Sequence, residues 1–135
     1  MTPRLIVLAA TLVAGCAPES TRLSGAETRG LTDSPRTVPA AATPVQGGTQ
    51  MELVAADGTV LTGLLATEQQ PVVVPIMATG QPLVGGGTDL VGNIADTSGV
   101  SVMGCRFRLL NPPRGLDGGG TGRCEGGGRR VDFLF

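Results

Sequence analysis

The sequence predicts an all-β fold, a small antiparallel sandwich or partly closed barrel, preceded by a disordered N-terminal tether. Three observations carry that expectation. Asp57-Gly58, a strong two-residue turn signal, sits between the apolar runs MELVA and VLTGLL, an arrangement that favours a hairpin. SVMGCRFRLL (residues 101–110) and RRVDFLF (129–135) alternate apolar and polar residues, which sends the two kinds to opposite faces of a strand. Cys105 and Cys124 then fall close together if 101–110 and 121–125 are antiparallel neighbours.

Residues 17–49 are rich in Ala, Thr, Pro, Ser and Gly, with almost no large apolar side chain. Such a segment buries too little surface to offset its ordering entropy. It is therefore expected to be a flexible linker spanning on the order of 30 Å by random-coil scaling, so that residues 16–49 tether a β domain of residues 50–135. In that domain a hairpin around Asp57-Gly58 puts Met51, Leu53, Ala55, Val60, Thr62 and Leu64 on one face. A helix over 60–69 is an open alternative, because Leu61, Leu64 and Leu65 also have helical spacing; Gly63 and the β-branched Val60 and Thr62 weigh against it.

PVVVPIMATG (71–80) is a β-branched run whose Pro71 and Pro75 cannot donate to a ladder, which confines it to an edge. The glycines at 85–87 break the chain before TDLVGNIADTSG, a short strand or turn. In 101–110 the residues Met103, Cys105, Phe107 and Leu109 share one face, with Arg106 and Arg108 on the other. Val131, Phe133 and Phe135 do the same in the last run. The inward cysteines and the three phenylalanines are expected to form one core that needs no helix to cover it.

The chain opens MTPRLIVLAATLVAGC, one arginine followed by an apolar stretch too short to cross a bilayer as a helix but suited to a secretory signal peptide over residues 1–15. Leu12-Val13-Ala14-Gly15-Cys16 resembles the lipobox of bacterial lipoproteins. The resemblance implies cleavage before Cys16, a diacylglyceryl group on its thiol and, in many bacteria, a further fatty acyl chain such as palmitate on the new amino group. Two or more acyl chains anchor stably where one does not. An ordinary cleaved signal peptide with an incidental Cys16 is the bland alternative. Ala17 stands where the lipoprotein pattern uses aspartate for inner-membrane retention, so the expected location is the outer membrane, facing the periplasm.

After residue 15 the chain carries nine arginines against eleven acidic residues, and the whole sequence has no Lys, His, Tyr or Trp. Missing histidine removes the usual general base, metal ligand and pH switch. Nothing calls for a cofactor or a metal, and the acidic balance gives no reason to expect nucleic acid as a partner. Cys105 and Cys124 are read as a disulfide in an oxidising compartment; a two-thiol metal site lacks half its ligands.

Other motifs carry less. GLDGGGTGRCEGGG has the glycines of a phosphate loop but neither its lysine nor a following helix. ADTSG resembles the Asp-Thr-Gly of aspartic proteases with the glycine displaced by one. A hydrolase would need a deep pocket holding two carboxylates. RRVDFLF resembles the terminal strand signal of outer-membrane barrels, but residues 50–135 are too few for eight spanning strands.

Charge is uneven: residues 100–135 hold six arginines against three acids, and residues 17–99 three against eight. Arg106, Arg108 and Arg123 are expected to share an outer face able to grip anionic lipid headgroups or glycolipid. The leading expectation is a non-enzymatic accessory or structural module of the cell envelope. It is held to the membrane by its lipid anchor and binds another envelope protein through its sheet surface or an edge strand.

Overall fold

Alternation with a period of two runs through far more of the chain than its last third. The computed structural model describes residues 15, 16, 18–75 and 82–135, those at 69–75 and 82–87 through their backbone. The signal-peptide reading, with Leu12, Val13 and Ala14 of the lipobox, lies outside the described residues, as do Ala17 and residues 76–81 of the valine-rich run.

The described residues form eight strands: β1 Thr21–Arg29, β2 Arg36–Val45, β3 Gly48–Val54, β4 Val60–Pro75, β5 Pro82–Ala95, β6 Val102–Leu109, β7 Gly120–Gly126 and β8 Arg129–Leu134. Each pairs antiparallel with its successor, and β8 pairs back on β1 from Gly25 opposite Phe133 to Arg29 opposite Arg129. The result is a closed up-and-down barrel, with a short 3₁₀ segment, Pro112–Gly118, between β6 and β7. Closure leaves no sheet edge in the barrel wall, the usual answer to the edge-strand problem.

The tether is corrected: residues 21–45 are β1 and β2 rather than linker. Their inward positions Leu23, Gly25, Val38, Ala40 and Ala42 are buried. Small residues are required there because the facing ones are large. A Cβ on Gly25 would come within 2.6 Å of Val131 Cγ1 and 2.7 Å of Phe133 Cε1. Gly122 stands likewise against the ring of Phe107, where a Cβ would collide with Cδ1. A low-apolar composition thus marks not disorder but the small half of a core whose large half is Phe107, Met51, Leu53, Leu61 and Leu65. Phe107 packs on Phe133 and Phe135 at ring-centroid distances of 5.3 and 6.0 Å. Each fully buried large apolar side chain contributes about 1.5–3 kcal/mol.

The hairpin forms with a different register. Met51, Leu53 and Ala55 point inward as expected, but on β4 the buried residues are Leu61 and Leu65, while Val60, Thr62 and Leu64 face out. A two-residue Asp57-Gly58 loop would set Ala56 opposite Thr59. The observed pairing sets Val54 opposite Val60 and Leu53 opposite Leu61. Ala55 N–H donates to Thr59 O and Gly58, at φ 87°, donates to Ala55 O, so a longer turn with a left-handed glycine shifts the partner strand by one residue. One residue of slip exchanges its faces. The helix alternative over 60–69 is not adopted.

From Val102 to Leu109 exposed and buried residues alternate without a break, with Met103, Cys105, Phe107 and Leu109 inside. Cys105 lies directly opposite Cys124, and the two form a disulfide. The eight strands are reached because residues 21–49 contribute to the barrel, so the strand count alone did not exclude an outer-membrane barrel. Polarity speaks instead: the interior is apolar, and the outer face carries Glu52, Arg106, Arg108, Arg123, Glu125 and Asp132 at alternate positions, the reverse of a wall that faces lipid.

Candidate functional site

Three surfaces of the barrel hold chemistry, and the first is the outer face of β5 to β8. Strand alternation and closed register bring Arg106 and Arg123 directly opposite each other, with Arg108 opposite Thr121. The three expected anion-binding arginines therefore do share one face, lining a shallow groove of about 820 Å³ over Gly104 and Gly122. All three already have carboxylate partners. Arg106 reaches Asp89 at 2.8 Å and Glu68 at 3.0 Å, and Arg123 reaches Asp132 at 2.7 Å. Asp89 and Asp132 hold the respective guanidiniums above their ordinary pKa. Arg108 is the freest, 71% exposed and 3.6 Å from Asp89. An anion entering this groove must compete with carboxylates in place, which blunts the positive field that the arginines alone suggest.

The second surface is the end of the barrel where β1 finishes. Glu27 follows Leu23 and Gly25 along the inward row of β1, and it is 2% exposed. Its Oε2 accepts from the backbone N–H of Ala56 at 2.6 Å and its Oε1 from Arg29 Nε at 3.1 Å. Arg29 also reaches Asp57 at 2.9 Å, and Arg129 reaches Asp57 at 2.7 Å. The Thr59 backbone and side chain, then Arg29, hold the Asp57 carboxyl well below the usual carboxylate range. A cleft of about 580 Å³ opens here between Glu27, Arg36 and Asp57. Three carboxylates line it, Glu27, Asp33 and Asp57; both oxygens of Glu27 are engaged, and Asp57 stays ionised between two arginines. These contacts make the cluster a clasp that ties β1 to the β3–β4 turn.

The third surface is the opposite rim. Cys16 is exposed and outside the disulfide, and stands five residues before the start of β1. Thr21 donates from Oγ1 to Asp117 at 2.7 Å, fixing the entry of the chain against the 3₁₀ segment. Asp96, of the protease-like ADTSG, is a turn residue at the far end: it accepts from Ser98 Oγ at 2.9 Å and Ser101 N at 3.2 Å, and these bonds, Ser98 first, lower its pKa. Among the described residues no group of His, Cys, Asp or Glu is arranged to hold a metal, and no helix is long and apolar enough to cross a membrane.

Sequence reasoning missed the buried carboxylates Glu27 and Asp89. Glu27 carried a signal, the period-two row Leu23, Gly25, Glu27, but it was hidden in the segment read as linker. Comparison of the chain with known protein families, with curated proteins and with solved structures gave no match.

Proposed function

We propose that the protein is a lipid-anchored module of the bacterial cell envelope, held at the outer membrane through Cys16 and acting without catalysis, through its surfaces. The exposed Cys16 five residues ahead of β1 carries this reading, together with the lipobox pattern before it. The interior supports a surface role, because it is packed with Phe107, Met51, Leu53, Leu61 and Leu65, each fully buried. A barrel filled this way is a rigid body, not a container, and whatever it recognises meets its outer wall or its rims. An envelope protein is the partner class this fits.

Mass spectrometry of the N-terminal peptide from membrane-extracted protein tests the anchor. The expected result is Cys16 at the N-terminus with a diacylglyceryl thioether. A free Cys16 thiol, or an N-terminus elsewhere, overturns it. Cross-linking of the anchored protein against a Cys16→Ala control then identifies the partner, which should be recovered only with the anchored form.

One observation favours a second reading, the convergence of Arg106, Arg108 and Arg123 on one groove. It would bind the phosphates of an anionic envelope glycolipid. Such binding should weaken steeply with salt and vanish in Arg106→Ala plus Arg108→Ala; salt-insensitive or absent binding rejects it.

A further inference from the structure

β4 and β5 are longer than the barrel they help to close. β3 pairs with β4 only as far as Leu65, and β6 pairs with β5 only from Asp89 onward. Beyond those points β4 and β5 pair, among the described residues, only with each other, from Ala66 opposite Val91 to Pro75 opposite Pro82. They leave the wall as a two-stranded arm, in which Val73 faces Val84 and Val74 faces Leu83 across the ladder. At about 3.3 Å per residue the ten residues of β4 in this arm reach roughly 30 Å. Glu68 and Asp89 stand opposite each other at its base, and the strand segments beyond them, QQPVVVP and PLVGGGT, carry no charge.

In an up-and-down barrel odd strands start and even strands end at the same rim. The start of β1 and the outer ends of β4 and β5 are therefore on one rim, together with the 3₁₀ segment that Thr21 contacts. The chain from Cys16 to Thr21 spans at most about 18 Å when extended. The lipid group proposed on Cys16 and the uncharged arm leave the same end, and the arm is the longer of the two.

We propose that this arm lies against the lipid surface as a second membrane contact beside the anchor, and so sets the orientation of the barrel on the membrane. A lone two-stranded ribbon is marginal in water, so an arm of this length gains from a partner. Its prolines at 71, 75 and 82 remove backbone donors, which disfavours strand addition by another protein. Its two unpaired edges also rule out crossing the hydrocarbon core. What remains is burial of valine and leucine at the boundary of headgroups and acyl chains. Single exposed apolar residues occur at both ends of the barrel, Leu31 and Val100 at one and Leu110 and Leu134 at the other, and do not mark the site.

The membrane contact rests on the anchor reading only for its setting, so its test uses the mature chain with Cys16→Ser, which no lipid can modify. Binding is measured to vesicles of phosphatidylcholine, which carry no net charge, at low and high salt. The comparison protein has residues 69–88 replaced by Asn-Gly, which joins the Glu68–Asp89 pair by a favoured two-residue turn. A second variant, Val72→Asp plus Val73→Asp, charges both faces of the strand because successive residues alternate.

The expected result is salt-insensitive binding that falls at least about tenfold in both variants while the disulfide and the melting temperature are kept. Absent binding, or binding that both variants retain, overturns the proposal. So does binding confined to anionic vesicles and lost with Arg106→Ala, or a dimer in sedimentation that the Asn-Gly replacement dissolves. Failure of lipid attachment in the cell would show in the mass spectrum of Cys16 and would leave this measurement untouched.

Discussion

At the end of the barrel where β1 finishes, short polar turns carry Asp57 and Asp96, and the Glu27, Arg29, Asp57 and Arg129 clasp ties β1 and β8 to the β3–β4 turn. At the other end sit the entry from Cys16, the 3₁₀ segment and an arm that pairs only with itself. The first end is tied by ion pairs between elements, and the second carries an arm that runs past the wall. Cross-strand ion pairs are concentrated in the wall and the clasped end, whereas the arm and the entry from Cys16 are together at the other end.

Removing the disulfide should have the largest effect on that contrast. Cys105 and Cys124 are joined across adjacent strands with a sequence separation of 19, and freeing a loop of this size should destabilise the fold by about 3 kcal/mol. Chemical denaturation of Cys105→Ala plus Cys124→Ala should show this loss with β structure retained in the circular dichroism spectrum. An unchanged midpoint would mean that the wall does not depend on its staple.

Next comes the clasp. Glu27→Ala removes the acceptor shared by the Ala56 N–H and Arg29 Nε, and a hydrogen bond to a charged group contributes about 1.5–3 kcal/mol. Glu27→Gln keeps an acceptor for Ala56 but gives up the charge on Arg29, so it should fall between wild type and Glu27→Ala in thermal melts. Equal melting temperatures for all three would remove Glu27 from the account of stability and leave it free for another role.

The last third of the fold was legible in the sequence because its inward residues are large. Met103, Phe107, Val131 and Phe133 alternate with arginines and aspartate, and period-two alternation of extremes reads unambiguously as a strand. The first two strands alternate between leucine, glycine and alanine on one side and serine, threonine and arginine on the other. Their inward residues are small because Phe133 and Val131 occupy the space, a constraint that acts across the barrel and leaves no trace in local hydrophobicity. The arginine face was legible for the same reason as the core. Its neutralisation was not, because Asp89 and Asp132 sit on the neighbouring strands β5 and β8, and which residues they meet on β6 and β7 depends on the register set by the intervening turns.

Acid titration tests the clasp more gently. Asp57 has a folded pKa below its unfolded value of 3.8, so the folded state holds its charge more tightly. The stability this gives is fully present above pH 3.8 and is lost as pH falls from there towards the lower folded value. Asp57→Asn should therefore melt lower than wild type at neutral pH, and the gap between the two should narrow as pH falls below 3.8. A gap that stays constant with pH would assign the effect to shape rather than charge.

The smallest effect on stability is expected from the most drastic change, replacement of residues 69–88 by Asn-Gly. The arm beyond Glu68 and Asp89 has ladder partners only within itself, so its removal takes no strand from the closed wall. The new two-residue turn also orders fewer residues than the arm did. The midpoint of unfolding should move by less than about 1 kcal/mol, within the range of surface changes that touch no core, cap or buried pair. A large loss would mean that the arm folds back on the barrel and supports it, and the contrast between a clasped end and an end left open for contact would have to be redrawn with the arm on the structural side. A negligible loss leaves twenty residues of chain, uncharged and rich in valine, that the barrel does not need in order to fold, and their place beside Cys16 is then the reason to look for what they touch.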